Sequence, residues 1–269
     1  MIVRRGKTSK ATMELVLDLR RVMAPNTTER LRSSASTSLK ELLQAAGVLK
    51  LSHLVTVSET AQSVHLRVAR LPSGPTLTFR VDSYTLSRHV RDEQQRPPAI
   101  TSLKTPLLVA NNFSRASEAR TKLVRATLEA MFPALDVTTV KLADCRRVVL
   151  CQLVDDDVVD IRHYLIRADL AGVSKPVKDL VRAAKTPDLS TLDDVADYVL
   201  GGASIPRADE GATVVLPDRF TGRGNSAHRT SAIALTEIGP RLTLRLLKIE
   251  KDVAQGDVLF RAPAAAGPS

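Results

Sequence analysis

Apolar and polar residues alternate in two stretches of this chain that share the same order of residue types. Residues 74–81 and 239–246 both begin with Gly-Pro and carry Leu, Thr and Arg at matching places. Alternation with a period of two predicts a β-strand with one apolar face and one polar face. Proline restricts φ and glycine adopts conformations that other residues avoid, so Gly-Pro predicts a sharp entry into each strand. The two stretches therefore predict two similar halves.

Other patterns precede each of these strands in the same order. Apolar residues at helical spacing occupy 15–23 and 123–131, and a proline follows each stretch closely. Alternating stretches joined by polar turns then predict one hairpin in each half, over 53–57 with 64–68 and over 147–151 with 159–164. Chance similarity of two short strands is the alternative, and the ordered series of helix, hairpin and strand argues against it. We therefore predict an α/β fold with mixed sheets.

The spacing between matching patterns grows in the second half, which predicts an insertion. We expect one domain over 1–262, with a first half over 1–104, a second half over 105–262 that carries an insertion at about 168–231, and a tail over 263–269. Within the insertion, Ser, Asp and Gly at the ends of apolar stretches predict two helices between 174 and 200. Residues 213–216 predict a short strand.

Charge is distributed unevenly between these halves. The chain has 269 residues and a formal net charge of +10, and residues 1–134 hold 21 Lys and Arg against 10 Asp and Glu, whereas the rest holds 18 against 19. Such a concentration of cations is typical of a surface that binds a polyanion such as nucleic acid, with a solvated basic surface as the alternative. Aromatic residues make up 3% of the chain, which favours phosphate contacts and RNA shape over base stacking.

The sequence lacks the features of membrane and secreted proteins. It has no apolar run of membrane-spanning length, its first residues do not resemble a signal peptide, and its two cysteines are too few for a disulfide scaffold. We therefore expect no membrane partner and a reducing compartment.

Candidates for catalysis are weak. Gly6-Lys7-Thr8 resembles the end of a phosphate-binding loop, but the preceding glycine and buried strand are missing. The five histidines are scattered without metal-ligand spacing, and His163 in a strand is more typical of a packed core residue. Asp155-Asp156-Asp157 fits a hairpin turn. We expect no enzyme, no metal site and no cofactor, and a metal-dependent activity on RNA through these aspartates is the remotest alternative.

Several stretches resemble the Brix-domain family of ribosome-assembly proteins, and within it the Peter Pan branch. The resemblance covers nearly the whole chain, and it is carried by residues 19–27, 67–79, 106–109, 160–164, 197–200 and 237–244. It implies two similar halves, each resembling the anticodon-binding domain of some tRNA synthetases. It also implies a non-catalytic factor of the nucleus and nucleolus that binds precursor rRNA of the large (60S) ribosomal subunit and supports its processing. Small helical assembly factors and ribosomal proteins are the implied protein partners.

Twelve cations are the candidate RNA-binding residues, because an arginine fork can hold a phosphate through two hydrogen bonds. They are Arg4, Arg5, Lys7, Lys10, Arg20, Arg21, Arg30, Arg32, Arg67, Arg70, Arg80 and Arg241. Some, such as Arg20 and Arg67, have the alternative of pairing with nearby carboxylates. A serine-rich stretch at 33–38 stands where the family is usually basic, which puts part of the RNA surface in doubt.

Two further functions remain open at this stage. The chain is an adaptor between proteins if the acidic second half docks basic partners, for which the candidate residues are Asp193, Asp194, Asp197 and Tyr198. A Brix relative that serves the small subunit is the other possibility, and residues 22–27 and 162–164 argue against it.

Overall fold

The computed structural model describes residues 1–31, 37–95, 97–98, 104–113, 118–133, 145–170, 213–215, 230–253 and 256–263. In these residues the strands are β1 (Ile2–Arg5), β2 (His53–Glu59), β3 (Val64–Arg70), β4 (Thr76–Thr85), β5 (Leu107–Asn111), β6 (Arg147–Asp155), β7 (Val158–Leu170), β8 (Thr213–Val215), β9 (Thr230–Glu237), β10 (Arg241–Glu250) and β11 (Val258–Arg261). The helices are α1 (Lys10–Met23), α2 (Leu39–Val48), α3 (Ser87–Asp92) and α4 (Ala119–Ala130). The predicted α/β class, the helices predicted at 15–23 and 123–131, both hairpins and the repeated strands are confirmed.

One mixed sheet contains both copies of the repeated pattern. Its strands follow the order β1-β2-β3-β4-β10-β7-β6-β5, with β11 beside the C-terminal part of β10. The outer pairs β1 with β2 and β5 with β6 are parallel, whereas β2 with β3 and β3 with β4 are antiparallel. The order on one side of the β4–β10 pair therefore mirrors the order on the other side.

The two repeated strands pair with each other at the centre of this sheet. β4 and β10 are antiparallel, and Arg80 lies opposite Arg245, which is its own counterpart in the second copy. A pseudo-twofold axis therefore passes between these two residues. On one face, the repeated apolar positions are buried, with Phe79 and Leu244 at 0% and 1% exposure. The Thr and Arg positions face the other way, since strand side chains alternate between faces.

Glycine is required at the entry to both repeated strands. Gly74 has a φ of +92° and Gly239 has a φ of +67°, a region that residues with a side chain rarely adopt. A Cβ on Gly74 would overlap the carbonyl oxygen of Lys251, and one on Gly239 would come within 3.0 Å of Val90 Cγ2. The repeated Gly-Pro thus has a steric cause in each copy.

Helices cover the two faces of the sheet unequally. Leu15 of α1 and Val124 of α4 join the main core formed by the buried faces of β4 and β10. On the opposite face, Leu42 of α2 packs on Leu54 and Ala69 at one end of β2 and β3. A capping box between Ser38 and Glu41 begins α2. The middle of this second face carries polar residues instead.

The described chain divides into two compact units. The first comprises residues 1–136, 147–164 and 237–269, so it includes strands of both predicted halves. The second comprises 137–146 and 165–236, and it overlaps the predicted insertion. Within it, β8 and β9 form an antiparallel pair, which confirms the predicted strand at 213–216. The two helices predicted between 174 and 200 lie outside the described residues, and the division at residue 104 stays a prediction.

Candidate nucleic-acid interface

Two rows of polar side chains cross the sheet at right angles to its strands. The register between strands places Arg5, Ser58, His65, Arg80 and Arg245 side by side in the first row. In the same way it places Thr56, Arg67, Thr78, Lys248 and Arg261 side by side in the second row. With strands about 4.8 Å apart, each row is about 19 Å long. Together they line a groove of about 640 Å³, which we call the basic groove.

Both halves of the chain supply the cations of the basic groove. Three come from the first half and three from the second, namely Arg5, Arg67 and Arg80 with Arg245, Lys248 and Arg261. This differs from the simple expectation that the cationic first half alone forms the polyanion surface. Net charge counted along the chain does not report which residues the register brings to one face.

The two arginines on the pseudo-twofold axis share one carboxylate. Arg80 Nε donates to Asp82 Oδ1 at 2.7 Å, and Arg245 Nε donates to Asp82 Oδ2 at 2.8 Å. Burial opposes ionisation, but hydrogen bonds from both guanidinium groups hold the pKa of Asp82 below its ordinary value. Side-by-side like charges on adjacent strands repel, and Asp82 offsets that repulsion. Each guanidinium keeps further N–H donors.

Carboxylates do not neutralise the whole groove. Lys248 Nζ lies 2.7 Å from Glu250 Oε1 and is 28% exposed. Arg80 and Arg245 are 35% and 42% exposed. Among the described residues, six cations therefore face two carboxylates, and the remaining excess is accessible to an anionic ligand.

Other predicted cations lie outside the basic groove. Arg4, Lys7, Lys10, Arg30 and Arg70 are at least partly exposed but do not line it. Arg21 is 56% exposed and lies 3.2 Å from Asp18 Oδ1. Arg32 is outside the described residues.

The prediction for Arg20 was wrong. Its side chain is 5% exposed, and its donors are taken by main-chain carbonyls of Ile2 at 3.0 Å, Leu31 at 3.0 Å and Glu29 at 3.3 Å. A buried guanidinium bound to three carbonyls cannot reach a phosphate. Its hydrogen bonds hold α1 against β1 and against the loop that follows α1.

Arg241 lies outside the basic groove, and its role in RNA binding stays a prediction. Its guanidinium donates two hydrogen bonds to the Glu237 carboxylate, each at 3.0 Å, and lies 3.1 Å from Glu93 Oε2. The hydrogen bonds with Glu237 raise the pKa of Arg241 above its ordinary value. Two carboxylates therefore satisfy this arginine at the far end of β10, away from the basic groove.

Comparison with known proteins decides the family. The Brix domain profile matches residues 5–248. The chain belongs to the Brix family. It is 37% identical over 95% of its length to "Peter Pan-like protein" of Arabidopsis thaliana and covers 75% of that protein. It is 36% identical over 96% of its length to "Suppressor of SWI4 1 homolog" of Mus musculus and covers 56% of it. "Ribosome biogenesis protein SSF1" of Saccharomyces cerevisiae is 29% identical to it over 96% of this chain and 72% of that protein.

Sequence reasoning missed four ionisable residues of the groove in this Brix chain. They are His65, Arg245, Lys248 and Arg261. A signal for Arg245 was present, because it occupies the position of Arg80 in the second copy of the repeated pattern. Arg261 carries no such signal, because β11 joins the groove only through its pairing with β10.

A buried arginine on β6 joins the second half of the Brix chain to the first. Arg147 is 0% exposed, and it donates to the carbonyls of Arg21 at 2.9 Å, Ala24 at 2.5 Å and Lys104 at 2.8 Å. These bonds join β6 to the C-terminal end of α1, where the Arg21 carbonyl also accepts a hydrogen bond from Ala24 N at 3.3 Å. Burial lowers the pKa of Arg147.

His163 is a core residue, as predicted. It is 3% exposed, and its Nδ1 lies 2.9 Å from the Gly239 carbonyl oxygen. Burial is the main cause that lowers the pKa of His163 to about 4. The ring is therefore neutral at ordinary pH and donates this hydrogen bond to the entry of β10.

The remaining candidate residues lie in a turn or outside the described part of the chain. Residues 156 and 157 form the turn between β6 and β7, as predicted. No group of three or more metal-ligating residues occurs among the described residues, and no described helix is long and apolar enough to cross a membrane. The candidate partner-binding residues Asp193, Asp194, Asp197 and Tyr198 lie outside the described residues.

Proposed function

We propose that this Brix protein is a non-catalytic ribosome assembly factor that binds precursor rRNA of the large subunit along its basic groove. The observation that carries the proposal is the convergence of six cations from both halves on one open face of the sheet. Two relatives at 36% and 29% identity cover nearly all of this chain, and the second bears a ribosome biogenesis name. Nuclear and nucleolar action follows from this role, as does association with other assembly proteins in the precursor particle.

The chemistry of the groove favours RNA backbone over base edges. Its described lining carries arginine, lysine, serine and threonine side chains, one histidine, and no Phe, Tyr or Trp. Arginine and lysine bind phosphate oxygens, and serine and threonine hydroxyls donate to phosphate or bind a ribose hydroxyl. Stacking platforms, which hold splayed bases, are missing from that lining. The groove is therefore suited to the course of an RNA strand and not to its sequence.

Both halves must be in place for this binding. Each row takes residues from strands on both sides of the pseudo-twofold axis. An RNA strand that follows a row crosses the β4–β10 pair, where Arg80 and Arg245 meet. A duplicated fold thus gives one continuous site instead of two separate ones.

Crosslinking in cells tests the proposal. Tagged full-length protein is crosslinked to RNA, and the attached fragments are sequenced. We expect fragments of large-subunit precursor rRNA, and a strong loss of crosslinks in Arg67→Glu with Lys248→Glu. The matched control is Arg125→Glu, since Arg125 is an exposed residue of α4 paired only with Glu129 at 2.7 Å among the described residues. Fragments from the small-subunit precursor, or equal crosslinking by both variants, would contradict the proposal.

A further inference from the structure

His65 lies in the middle of the first groove row. Its register neighbours are Ser58 on β2 and Arg80 on β4, and its side chain contributes to the groove lining. Its Nε2 is 2.8 Å from the Ser63 hydroxyl. It is thus the one described histidine that lines the basic groove.

Charges of both signs surround His65. On its own strand Arg67 is two residues away on the same face, and on β4 Arg80 lies directly opposite. Asp82, also on β4, is engaged by Arg80 and Arg245. On β2 the direct neighbour Ser58 is uncharged, and Glu59 next to it accepts a hydrogen bond from the Ser9 main chain at 2.6 Å. Arg5 of β1 ends the row beyond Ser58.

In the free protein this setting favours the neutral form of the ring. Burial, followed by the positive charges of Arg67 and Arg80, lowers the pKa of His65 below its ordinary value of 6.5. An RNA phosphate in the groove would reverse the effect of the two arginine charges on the pKa of His65. It would neutralise the two arginines and bring a negative charge close to the ring, and a nearby opposite charge raises the pKa of a histidine.

We propose that His65 is an RNA-contacting residue and that the basic groove takes up one proton on its ring when RNA binds. The proton comes from solvent and adds to the ring nitrogen that carries none, so both nitrogens become donors and the ring becomes a cation. This inference rests on the proposed function. It adds a seventh positive charge to the groove, present only in the complex.

The linkage between proton binding and RNA binding fixes how the affinity for RNA changes with pH. The complex binds a proton more tightly than the free protein, so affinity rises as pH falls through the interval between the two pKa values of His65. Below the free-protein value both states are protonated, and the affinity reaches a plateau. A pKa difference of one unit corresponds to a change of about tenfold in the dissociation constant.

The test measures binding of full-length protein to oligouridylate from about pH 5 to about pH 8 at constant salt, because histidine is the side chain that ordinarily titrates in this range. Uridine bases carry no group that titrates there. We expect wild-type affinity to fall by about tenfold with rising pH and the His65→Gln variant to show a flat profile at the weaker level. His89→Gln is the matched control, since His89 is exposed on α3 and should leave the profile unchanged.

The outcomes separate this inference from the proposed function. If wild-type protein binds no RNA at any pH, the proposed function fails. If it binds RNA and His65→Gln keeps the wild-type pH profile, the proton linkage is overturned. NMR titration of the His65 ring in wild-type protein with and without the oligonucleotide gives an answer that needs no variant. An equal pKa in both states would refute the inference.

Discussion

The arginine pair on the pseudo-twofold axis allows a quantitative test of the groove. Replacing Arg80 and Arg245 together with glutamine removes two cations that come from matching places in the two halves. Both side chains are partly exposed, at 35% and 42%, so the core on the opposite face should not change. The Asp82 carboxylate, which is 22% exposed, stays accessible to water.

Counterion release sets the size of the expected effect. For a single strand, the logarithm of the binding constant falls with the logarithm of salt concentration with a slope of about −0.7 per phosphate neutralised. Six cations less the two carboxylates that pair with them leave about four phosphate contacts, which give a slope of about −2.8 and a loss of about 50-fold between about 50 and about 200 mM salt. Removing two of these contacts makes the slope shallower by about 1.4, and the loss falls to about 7-fold.

Asp82→Asn should change the slope in the opposite direction. It removes the carboxylate that both arginines share, so one more phosphate can be neutralised and the slope should steepen by up to about 0.7. Fluorescence anisotropy of labelled oligouridylate, titrated at a series of potassium chloride concentrations, measures all three proteins. Arg125→Gln is the control outside the groove. If the double variant keeps the wild-type slope, RNA does not bind across the β4–β10 pair.

Two predictions concern buried groups of β6 and β7. Arg147→Met removes the guanidinium that donates to the carbonyls of Arg21, Ala24 and Lys104. This change should lower the free energy of unfolding, measured by urea denaturation, by about 3 kcal/mol or more. An unchanged midpoint of the urea transition would show that other groups replace the arginine. The pKa of His163 is about 4 in the folded protein against an ordinary value of 6.5. As pH drops, the unfolded chain therefore binds a proton at this residue at a higher pH than the folded protein does. The free energy of unfolding should fall by up to about 3 kcal/mol through that interval. His163→Gln should remove this part of the pH dependence, and an identical profile for both proteins would refute it.

Local patterns were enough to predict most elements of the sheet. Period-two alternation and the Gly-Pro entries identified β4 and β10, because the residues that define a strand face are close in sequence. Helix α1 begins at Lys10 and not at 15, because the Ser9 side chain accepts a hydrogen bond from Thr12 N at 3.2 Å and caps an additional turn. Helix α2 was missed although Ser38 and Glu41 had the spacing of a capping box.

The site was harder to predict than the fold, because it depends on register between distant strands. No local sequence pattern predicts that β4 pairs with β10, and this pairing alone brings Lys248 beside Thr78. Buried arginines were a second source of error. Arg20 and Arg147 add to the positive charge counted from composition, although both side chains are buried. They donate their hydrogen bonds to main-chain carbonyls of distant segments.

The pseudo-twofold axis also explains why the two copies had to differ at one position. Because Arg80 meets its own counterpart Arg245, any charge at this place in the pattern is doubled side by side. A carboxylate two residues later in both copies would cancel the pair, and none in either copy would leave two guanidinium groups in repulsion. The first copy has Asp82 there and the second has Leu247, where the register of β10 shifts between Leu246 and Lys248. One carboxylate for two arginines leaves the centre of the groove with a net positive charge while holding both side chains in place. The difference between the copies, not the repeat itself, therefore sets the charge that an RNA strand would meet at the axis.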